Sequence, residues 1–565
     1  MKPVRKKKLV IKIIPYIFIA VPAGILSTYI HFINIHPVIV GLLAGSVAYL
    51  MSFVQVSKKY MRGKEYGTAR WGTPKDIAPY MDENPDNNII LTETESLTMS
   101  SRPLPGKEEF ARNKNVLVTG GSGSGKTRGF IIPNVMQCIS SFPTSFVITD
   151  PKGEILRLTG SMLKRFGYKI KVVNTIDMSA SMRYNPFAYV RKESDLLRLA
   201  NILIENLGGK GKSSDPYWEN AEKGLFLSLS GLIWTEARED ERNLAMLADI
   251  ISMMTANEEG GDTKNAVDIT FEQLESKNSN SFAVRQYKKF RLAPARTRNS
   301  ILTQLAMRLA VYDIEETREL TAYDELDLEK LGTEKTALFV ITSDTDDSYD
   351  FVPGVLYSQL FNLLCTKADT EHGGRLPVHV RFLLDEFANI GKIPNFEKLI
   401  ATIRSREVSA CVILQSKAQL KERYKESAAT IIGNMDTEIF LGGKEPQTLK
   451  EVSEMLGKAT IDIQTESRTK SQQNSSGENQ NRMGRELMTI DELSRMKNTM
   501  CILQIRGAPP FYSRKYNLKT HKNYKYLGYN PKYIYDAKRH MSTRLKLSNT
   551  AKYTHVVYEV SEKGA

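Results

Sequence analysis

A glycine-rich motif at residues 120–127, Gly-Gly-Ser-Gly-Ser-Gly-Lys-Thr, constrains the fold more than any other feature of the chain. It has the pattern G-x-x-x-x-G-K-[ST] of a phosphate-binding loop, which joins a buried strand to a helix. The apolar run 116–118 directly before the motif suits that strand. The motif therefore predicts a nucleoside triphosphate site on an α/β scaffold.

Each residue type in this loop suits a phosphate ligand. Glycines let backbone N–H groups surround the phosphates, Lys126 can reach the β and γ oxygens, and the Thr127 hydroxyl can ligate Mg²⁺. We therefore expect ATP and Mg²⁺ as cofactors. The expected binding residues are Gly120, Gly121, Ser122, Gly123, Ser124, Gly125, Lys126 and Thr127.

An apolar run at 379–384 ends in two acidic residues, Asp385 and Glu386. A phosphate loop needs a carboxylate at the end of a neighbouring strand for the Mg²⁺ shell, and a second group for the attacking water. We expect Asp385 to serve the metal together with Thr127, and Glu386 to act as the catalytic base.

Two further residues are candidates for the same reaction. Gln415 ends the next predicted strand, and ligands of α/β sheets bind at the carboxyl ends of strands, so Gln415 is a candidate sensor of the γ-phosphate. Arg404 lies before that strand and is a candidate arginine finger. A solvated surface arginine explains Arg404 equally well.

Short apolar or β-branched runs alternate with helical patterns along most of the chain. This alternation predicts a mostly parallel sheet with helices on both faces. Asp150-Pro151-Lys152-Gly153-Glu154 ends one such run, where it either lines the nucleotide cleft or forms a strand-to-helix turn. The predicted strands are 88–91, 116–119, 145–150, 169–174, 337–342, 380–385, 408–415, 438–441 and 501–505.

Residues 192–296 interrupt this alternation with successive helical patterns at 196–207, 218–236, 241–254 and 271–289. About a hundred residues is long for a crossover that needs only about a dozen. We therefore expect an all-α domain inserted in the α/β domain. The alternative is a set of crossover helices that belong to the α/β domain itself.

The amino-terminal region has the pattern of a membrane anchor. No Lys, Arg, Asp or Glu occurs in residues 13–57, which is long enough for two spans of roughly 20 residues each. We place the spans at 13–30 and 38–56. Residues 1–70 contain 11 basic residues and 1 acidic residue, which flank the spans. The positive-inside rule then predicts a multi-pass protein of the cell membrane with both ends of the hairpin in the cytoplasm.

Two segments near the carboxyl end have unusual compositions. Residues 464–484 have almost no apolar side chains, and we expect a mobile loop there. Residues 511–565 carry 12 basic and 3 acidic residues interleaved with tyrosines. Such a tail suits single-stranded nucleic acid or an anionic surface, or it packs across the core with its basic face in solvent.

Taken in order, the motifs resemble those of type IV secretion coupling proteins, the TraG family of conjugative ATPases. The matching features follow the membrane hairpin and cover nearly the whole chain. They are Thr68-Ala69-Arg70-Trp71-Gly72, the phosphate loop, Asp150 to Glu154, Asn185-Pro186-Phe187, Asp215-Pro216-Tyr217-Trp218, Leu384-Asp385-Glu386 and Leu414-Gln415-Ser416.

The resemblance implies a RecA-like nucleotide domain and a homo-hexameric ring anchored in the inner or plasma membrane. It also implies recruitment of a relaxase attached to single-stranded DNA, and transfer of that substrate to type IV secretion channel components at the expense of ATP. Arg404 falls where the family's trans-acting arginine would lie. The implied domain organisation is then as follows. Residues 1–57 form the membrane anchor, residues 58–191 and 297–510 form the RecA-like domain, residues 192–296 form the all-α domain, and residues 511–565 form the basic tail.

Two other functions stay open at the level of sequence. A membrane-anchored double-stranded DNA translocase would share the phosphate loop, but the Tyr- and Lys-rich tail does not suggest its usual compact DNA-reading domain. A membrane receptor or scaffold that binds nucleotide without hydrolysis would have no need of a base such as Glu386. Preference for single-stranded or duplex DNA distinguishes the coupling protein from the translocase, and ATP turnover distinguishes both from the receptor or scaffold.

Overall fold

A large mixed sheet is the centre of the bigger of two units into which the chain divides. This unit comprises Trp71–Ser453 and Met488–Ala565, and the smaller one comprises Met1–Arg70 and Glu454–Leu487. The computed structural model describes residues 25, 37–57, 65–103, 105–208, 216–254, 264–469 and 475–540. The strands in this part of the chain are β1 (Asn88–Ile90), β2 (Ser96–Thr98), β3 (Val116–Thr119), β4 (Thr144–Thr149), β5 (Lys169–Asn174), β6 (Thr336–Ile341), β7 (His379–Leu384), β8 (Val408–Leu414), β9 (Thr437–Phe440), β10 (Lys458–Thr469), β11 (Ser475–Glu486), β12 (Met500–Ile505) and β13 (Phe511–Arg514).

The large sheet has the strand order β13-β12-β9-β3-β8-β7-β4-β6-β5. From β9 to β5 all neighbours are parallel, whereas β12 is antiparallel to β9 and β13 is antiparallel to β12. Two reversals leave β13 pointing in the same direction as β3. The predicted strands of this sheet all occur within one residue of their expected ends, so the mostly parallel α/β fold is confirmed.

Burial on both faces explains why the central strands have nearly continuous apolar sequences. Every residue of β3, β7 and β8 is buried. On one face the Phe361 ring stacks on Phe382 of β7 at a centroid distance of 4.0 Å, and on the other Tyr168 packs on Phe146 of β4. Parallel strands covered on both faces leave little room for polar alternation.

Helices cover the sheet and fill the long connections between strands. They are α1 (Pro37–Ser57), α2 (Pro74–Ile77), α3 (Ile132–Met136), α4 (Glu154–Arg165), α5 (Glu193–Leu207), α6 (Pro216–Glu236), α7 (Leu244–Met253), α8 (Ala266–Lys277), α9 (Phe282–Arg291), α10 (Ala295–Leu309), α11 (Glu315–Thr321), α12 (Phe351–Glu371), α13 (Phe396–Thr402), α14 (Lys417–Tyr424), α15 (Ser427–Gly433), α16 (Pro446–Leu456) and α17 (Ile490–Ser494).

In the described part of the connection from β5 to β6, helices α5 to α11 follow one another without a strand. The prediction of a single helix at 271–289 is wrong, because α8 ends at Lys277 and a separate helix, α9, begins at Phe282. The break has a local cause: the Asn278 side chain accepts a hydrogen bond from the Asn280 backbone N–H at 3.1 Å and so competes with the helix. The domain limits at 192, 296 and 510 stay predictions.

The expectation of a loop at 464–484 is also wrong. β10 and β11 pair as a long antiparallel hairpin, with Lys458 opposite Glu486 and Thr469 opposite Ser475. The Ala69 backbone N–H donates to Lys458 O at 3.0 Å, and Thr68 forms a β-bridge with Ala459, so this short segment pairs with β10. Backbone ladder hydrogen bonds do not require apolar side chains, which is why composition misled the prediction.

The expected membrane spans fall mostly outside the description. Of the span 13–30, only Ile25 is described, whereas 38–56 falls within helix α1. Among the helices in the described ranges, none combines the length and the apolar character that crossing a membrane demands.

The basic carboxyl-terminal segment packs on the body as far as it is described. The backbone N–H of Gly528 donates to Leu158 O at 2.8 Å, and that of Tyr535 donates to Arg157 O at 3.0 Å. The Asn523 amide donates to Met136 O at 2.8 Å. Up to residue 540 the segment therefore packs across the core, which is the second of the two interpretations given above for the basic tail. Residues 541–565 lie outside the described part.

Candidate functional site

The glycine-rich loop leaves the carboxyl end of β3, at the centre of the large sheet. Gly123 and Gly125 have φ angles of 72° and 86°, the left-handed region that glycine tolerates best. A Cβ atom at either position would meet nothing within 4 Å, so the loop encloses open space. The chain then turns into a helix at Thr127, and the start of a helix after such a loop is a common place for a bound anion.

Five predicted site residues lie together at the carboxyl ends of β3, β7 and β8. Lys126 Nζ lies 3.3 Å from Glu386 Oε1, and Gln415 Nε2 donates to Glu386 Oε2 at 3.1 Å. The Thr127 hydroxyl donates weakly to Asp385 Oδ2 at 3.5 Å. The three strands are neighbours, and this adjacency places the five side chains together.

The backbone turns sharply between the two acidic residues. Glu386 has a φ of 50°, which is uncommon for a residue with a side chain, and its N–H donates to Asp385 Oδ1 at 3.1 Å. This turn buries Asp385, at 5 % exposure, while Glu386 faces the cavity. Two consecutive carboxyl groups thus occupy different environments.

Burial shapes the electrostatics of the site. The pKa of Asp385 is raised to about 7, chiefly by burial and next by the nearby Glu386, while Lys126 acts in the opposite direction. Burial also raises the pKa of Asp150 to about 6, although Asp150 Oδ2 accepts a hydrogen bond from the Leu156 N–H at 2.8 Å at the start of α4. A cation beside Asp385 would favour its charged form.

These residues line a cavity of 490 Å³. It brings together the predicted residues Ser122, Gly123, Ser124, Gly125, Lys126, Thr127, Asp385, Glu386 and Gln415. Gly120 and Gly121 lie at the base of the loop, where their N–H groups donate to Leu414 O and Gly442 O. Asp150, Lys152 and Glu154 also line the cavity, which favours the cleft interpretation of that motif over a plain turn.

Arg404 lies away from the cavity of its own chain. It belongs to a 3-10 turn, Ile403–Arg406, that precedes β8, whereas Gln415 follows β8. The seven residues of β8, at about 3.3 Å each, separate the two by roughly 20 Å. Arg404 is exposed, so it is available to another molecule.

The sequence prediction missed several residues at the cavity. Asp344 follows β6 and pairs with Lys152 at 3.1 Å, and the rule that found Gln415 would have found Asp344 too. Lys515 Nζ donates to Ser124 O of the loop at 2.8 Å. Lys515 reaches the loop because β13 runs parallel to β3, and no short sequence signal reveals that direction.

The donor set suits a nucleoside triphosphate with Mg²⁺. Lys126 Nζ, 3.0 Å from Gly120 O, places positive charge within the loop. Ser124 Oγ is buried without a hydrogen-bond partner among the described residues, so it has capacity for a ligand. Thr127 and Asp385 supply the hydroxyl and carboxylate oxygens that Mg²⁺ prefers.

Comparison with known proteins identifies the family. Residues 85–535 match the model of the family described as type IV secretory system conjugative DNA transfer. The chain belongs to this family. It shares 24 % identity over 528 residues with the conjugal transfer protein TraG of Escherichia coli, covering 84 % of this chain and 79 % of TraG. It shares 22 % identity over 510 residues with the protein VirD4 of Rhizobium rhizogenes, covering 84 % of this chain and 68 % of VirD4.

Solved structures of the plasmid coupling protein TrwB have the same fold. TrwB lacking its amino-terminal part, in complex with sulphate, superposes with a TM-score of 0.56 at 16 % identity, over 81 % of this chain and 96 % of TrwB. TrwB in complex with ADP and Mg²⁺ gives a TM-score of 0.55 at 16 % identity, over 81 % and 95 %. The resemblance to coupling proteins of conjugative DNA transfer is thereby confirmed.

Proposed function

We propose that this coupling protein is a membrane-anchored ATPase that recruits a relaxase bound to single-stranded DNA and delivers it to a type IV secretion channel. The observation that carries the ATPase proposal is the contact of Lys126, Gln415 and Glu386 beside Asp385 in one cavity. TrwB, which shares the fold, was solved with ADP and Mg²⁺, and this supports the same ligands here.

The proposed mechanism assigns one task to each of these side chains. Lys126 neutralises charge on the phosphates, and Thr127 and Asp385 hold the metal. Glu386 accepts a proton from the attacking water, and Gln415, as a hydrogen-bond donor to Glu386, keeps the carboxylate in position. Bound ATP with Mg²⁺ supplies the phosphoryl group whose transfer to water drives the transport.

Membrane attachment and assembly are parts of the same proposal. The uncharged residues 13–57 and their basic flanks support anchoring in the cell membrane with the body in the cytoplasm. The family resemblance and the exposed position of Arg404 support a homo-hexameric ring in which each site receives an arginine from its neighbour. Relaxase, single-stranded DNA and channel components are the proposed partners.

Two variants of the full-length protein test the catalytic part. Lys126→Ala should abolish ATP hydrolysis and DNA transfer in a mating assay, because the phosphates lose their main cation. Glu386→Gln should keep nucleotide binding but lower turnover by roughly 10²- to 10⁴-fold, the usual contribution of a general base. Glu422→Gln, an exposed glutamate on α14, is the matched control and should hydrolyse ATP like the wild type.

The choice of DNA substrate tests the rest of the proposal. Single-stranded DNA should stimulate ATP hydrolysis, and a relaxase and channel ATPases should co-purify from membranes of a donor cell. Stimulation by duplex DNA alone, together with no bound relaxase, would instead identify a double-stranded DNA translocase. Wild-type turnover in the Glu386→Gln protein would remove Glu386 from the mechanism.

A further inference from the structure

The phosphate loop separates two different sides of the large sheet. On one side of β3 lie β8, β7, β4 and β6, whose carboxyl ends carry the acidic and amide residues of the cavity described above. On the other side lie β9, β12 and β13. Because β12 runs against β3 and β13 runs with it, the beginning of β12 and the end of β13 lie at the same edge as the loop.

A second cavity opens at this edge, on the far side of the loop. It measures 450 Å³ and lies between the loop and the carboxyl-terminal segment 515–529. Gly123, Ser124, Gly125 and Arg128 line both cavities, so the loop forms a wall of each. A ligand held by the loop can therefore extend into either one.

Flat side chains form one wall of the second cavity. The Tyr524 and Tyr529 rings stack at a centroid distance of 5.8 Å with an angle of 27° between their planes. The Arg128 guanidinium lies 5.4 Å from the centre of the Tyr529 ring. We call these three residues the stacked wall. Stacked aromatic and guanidinium groups accept the flat face of any nucleobase.

Polar groups also line this cavity. Asn498, Thr499 and Asn517 line it with amide and hydroxyl groups that can donate to or accept from a sugar. Lys515 Nζ donates to Ser124 O at 2.8 Å and to Asn498 Oδ1 at 3.2 Å, which joins the carboxyl-terminal segment to the loop. Aromatic surface combined with a few polar groups is a common composition of a small-molecule site.

We infer that the second cavity holds the nucleoside half of the bound triphosphate, with the base against the stacked wall and the ribose near Asn498 and Thr499. The inference rests on the proposed function, because it takes the ligand of the loop to be a nucleotide. The γ-phosphate must face Asp385 and Glu386, so the nucleoside end leaves the loop on the other side. The carboxyl-terminal segment is then part of the nucleotide site as well as a cover for the core.

Binding of a full nucleotide and of its phosphate part alone tests this inference. Full-length protein in detergent is titrated with the Mg²⁺ complexes of a non-hydrolysable ATP analogue and of inorganic tripolyphosphate. Tyr529→Ala should weaken binding of the ATP analogue by roughly 5- to 150-fold, the usual effect of removing one stacking ring, and leave tripolyphosphate binding unchanged. Tyr529→Phe keeps the ring and should bind both ligands like the wild type.

Tyr533→Ala is the matched control, since this tyrosine of the same segment contacts Tyr526 and lies outside the cavity. It should bind both ligands normally. Wild-type affinity of the Tyr529→Ala protein for the ATP analogue, in a protein that still hydrolyses ATP, would overturn this inference alone. A parallel loss of both ligands would also overturn it, by showing that Tyr529 supports the loop. Failure of the wild type to bind the ATP analogue would overturn the proposed function and the inference together.

Discussion

Among single residues, Glu407 is a carboxylate with an unusually complete set of partners. It precedes β8, at the end of the sheet opposite the phosphate loop, and only 16 % of its side chain is exposed. The Ser101 hydroxyl donates to Glu407 Oε2 at 2.6 Å, His379 Nδ1 lies 3.0 Å from the same oxygen, and Arg375 pairs with the other. Burial would raise the pKa of Glu407, but His379, Ser101 and Arg375 outweigh it and lower the pKa to about 2.

The low pKa makes Glu407 a source of pH-dependent stability. Its pKa is about 2 in the folded chain and near 4.5 in the unfolded chain, so the stabilisation is complete above about pH 4.5 and is lost as the pH falls towards 2. Glu407→Gln should lower the free energy of unfolding by at most about 3 kcal/mol at pH 7, and by only about 1 kcal/mol at pH 3. Urea unfolding of both proteins at the two pH values measures this, and an equal loss at pH 7 and pH 3 would contradict it.

Among secondary-structure elements, strands with a clear apolar pattern could be predicted from the sequence. Strands that form only through pairing with a polar neighbouring strand could not. Strand β3 was predicted to the residue, because a buried central strand is apolar along nearly its whole length. Edge strand β5 was also predicted to the residue, from its β-branched residues Ile170, Val172 and Val173. The pair β10 and β11 was missed, since a polar hairpin has no apolar alternation to read. The sequence also located Lys126, Asp385, Glu386 and Gln415, which follow strands, but the approach of Lys515 depends on the direction of an edge strand.

The packing of the carboxyl-terminal segment on α4 can be tested with two helical glycines. A Cβ at Gly160 would lie 2.6 Å from Cγ of the buried Tyr535, whereas a Cβ at Gly224 in α6 would meet nothing within 4 Å. Gly224→Ala should therefore raise the free energy of unfolding by about 0.5–1 kcal/mol, the usual gain in a helix. Gly160→Ala should lower it by about 1–3 kcal/mol through the overlap with Tyr535.

Thermal unfolding measures both changes, and trypsin digestion shows whether the segment is released. In the Gly160→Ala protein, cleavage beside Lys532 and Lys538 should be faster than in the wild type, because Tyr535 no longer fits against α4. Equal stability of the two variants, with equal digestion, would mean that the segment does not pack on α4 in solution.

At the scale of the whole molecule, Arg404 links the single chain to the proposed ring. It is exposed and lies about a strand length from the phosphate loop of its own chain, so it cannot reach those phosphates. In a closed ring with one kind of interface, a surface of one subunit meets a different surface of the next. We therefore propose that Arg404 acts on the phosphates bound by a neighbouring subunit.

A complementation experiment follows from this arrangement. Chains with Lys126→Ala lack the loop cation but keep Arg404, and chains with Arg404→Ala have the opposite defect. Each variant alone should be inactive in ATP hydrolysis. Co-expressed, the two should recover roughly a quarter of wild-type activity, because random mixing places an intact loop beside an intact arginine at about that share of interfaces.

Arg406 provides the control for this experiment. It belongs to the same turn, but its guanidinium binds Asp369 of its own chain, with Nε to Oδ1 at 3.0 Å and Nη2 to Oδ2 at 2.8 Å. Arg406→Ala should therefore retain most of the activity and need no complementation. An active Arg404→Ala protein would identify Arg404 as a solvated surface group. If mixed rings were as inactive as either variant alone, Arg404 would not act between subunits, and the proposed ring would need another residue at its catalytic interface.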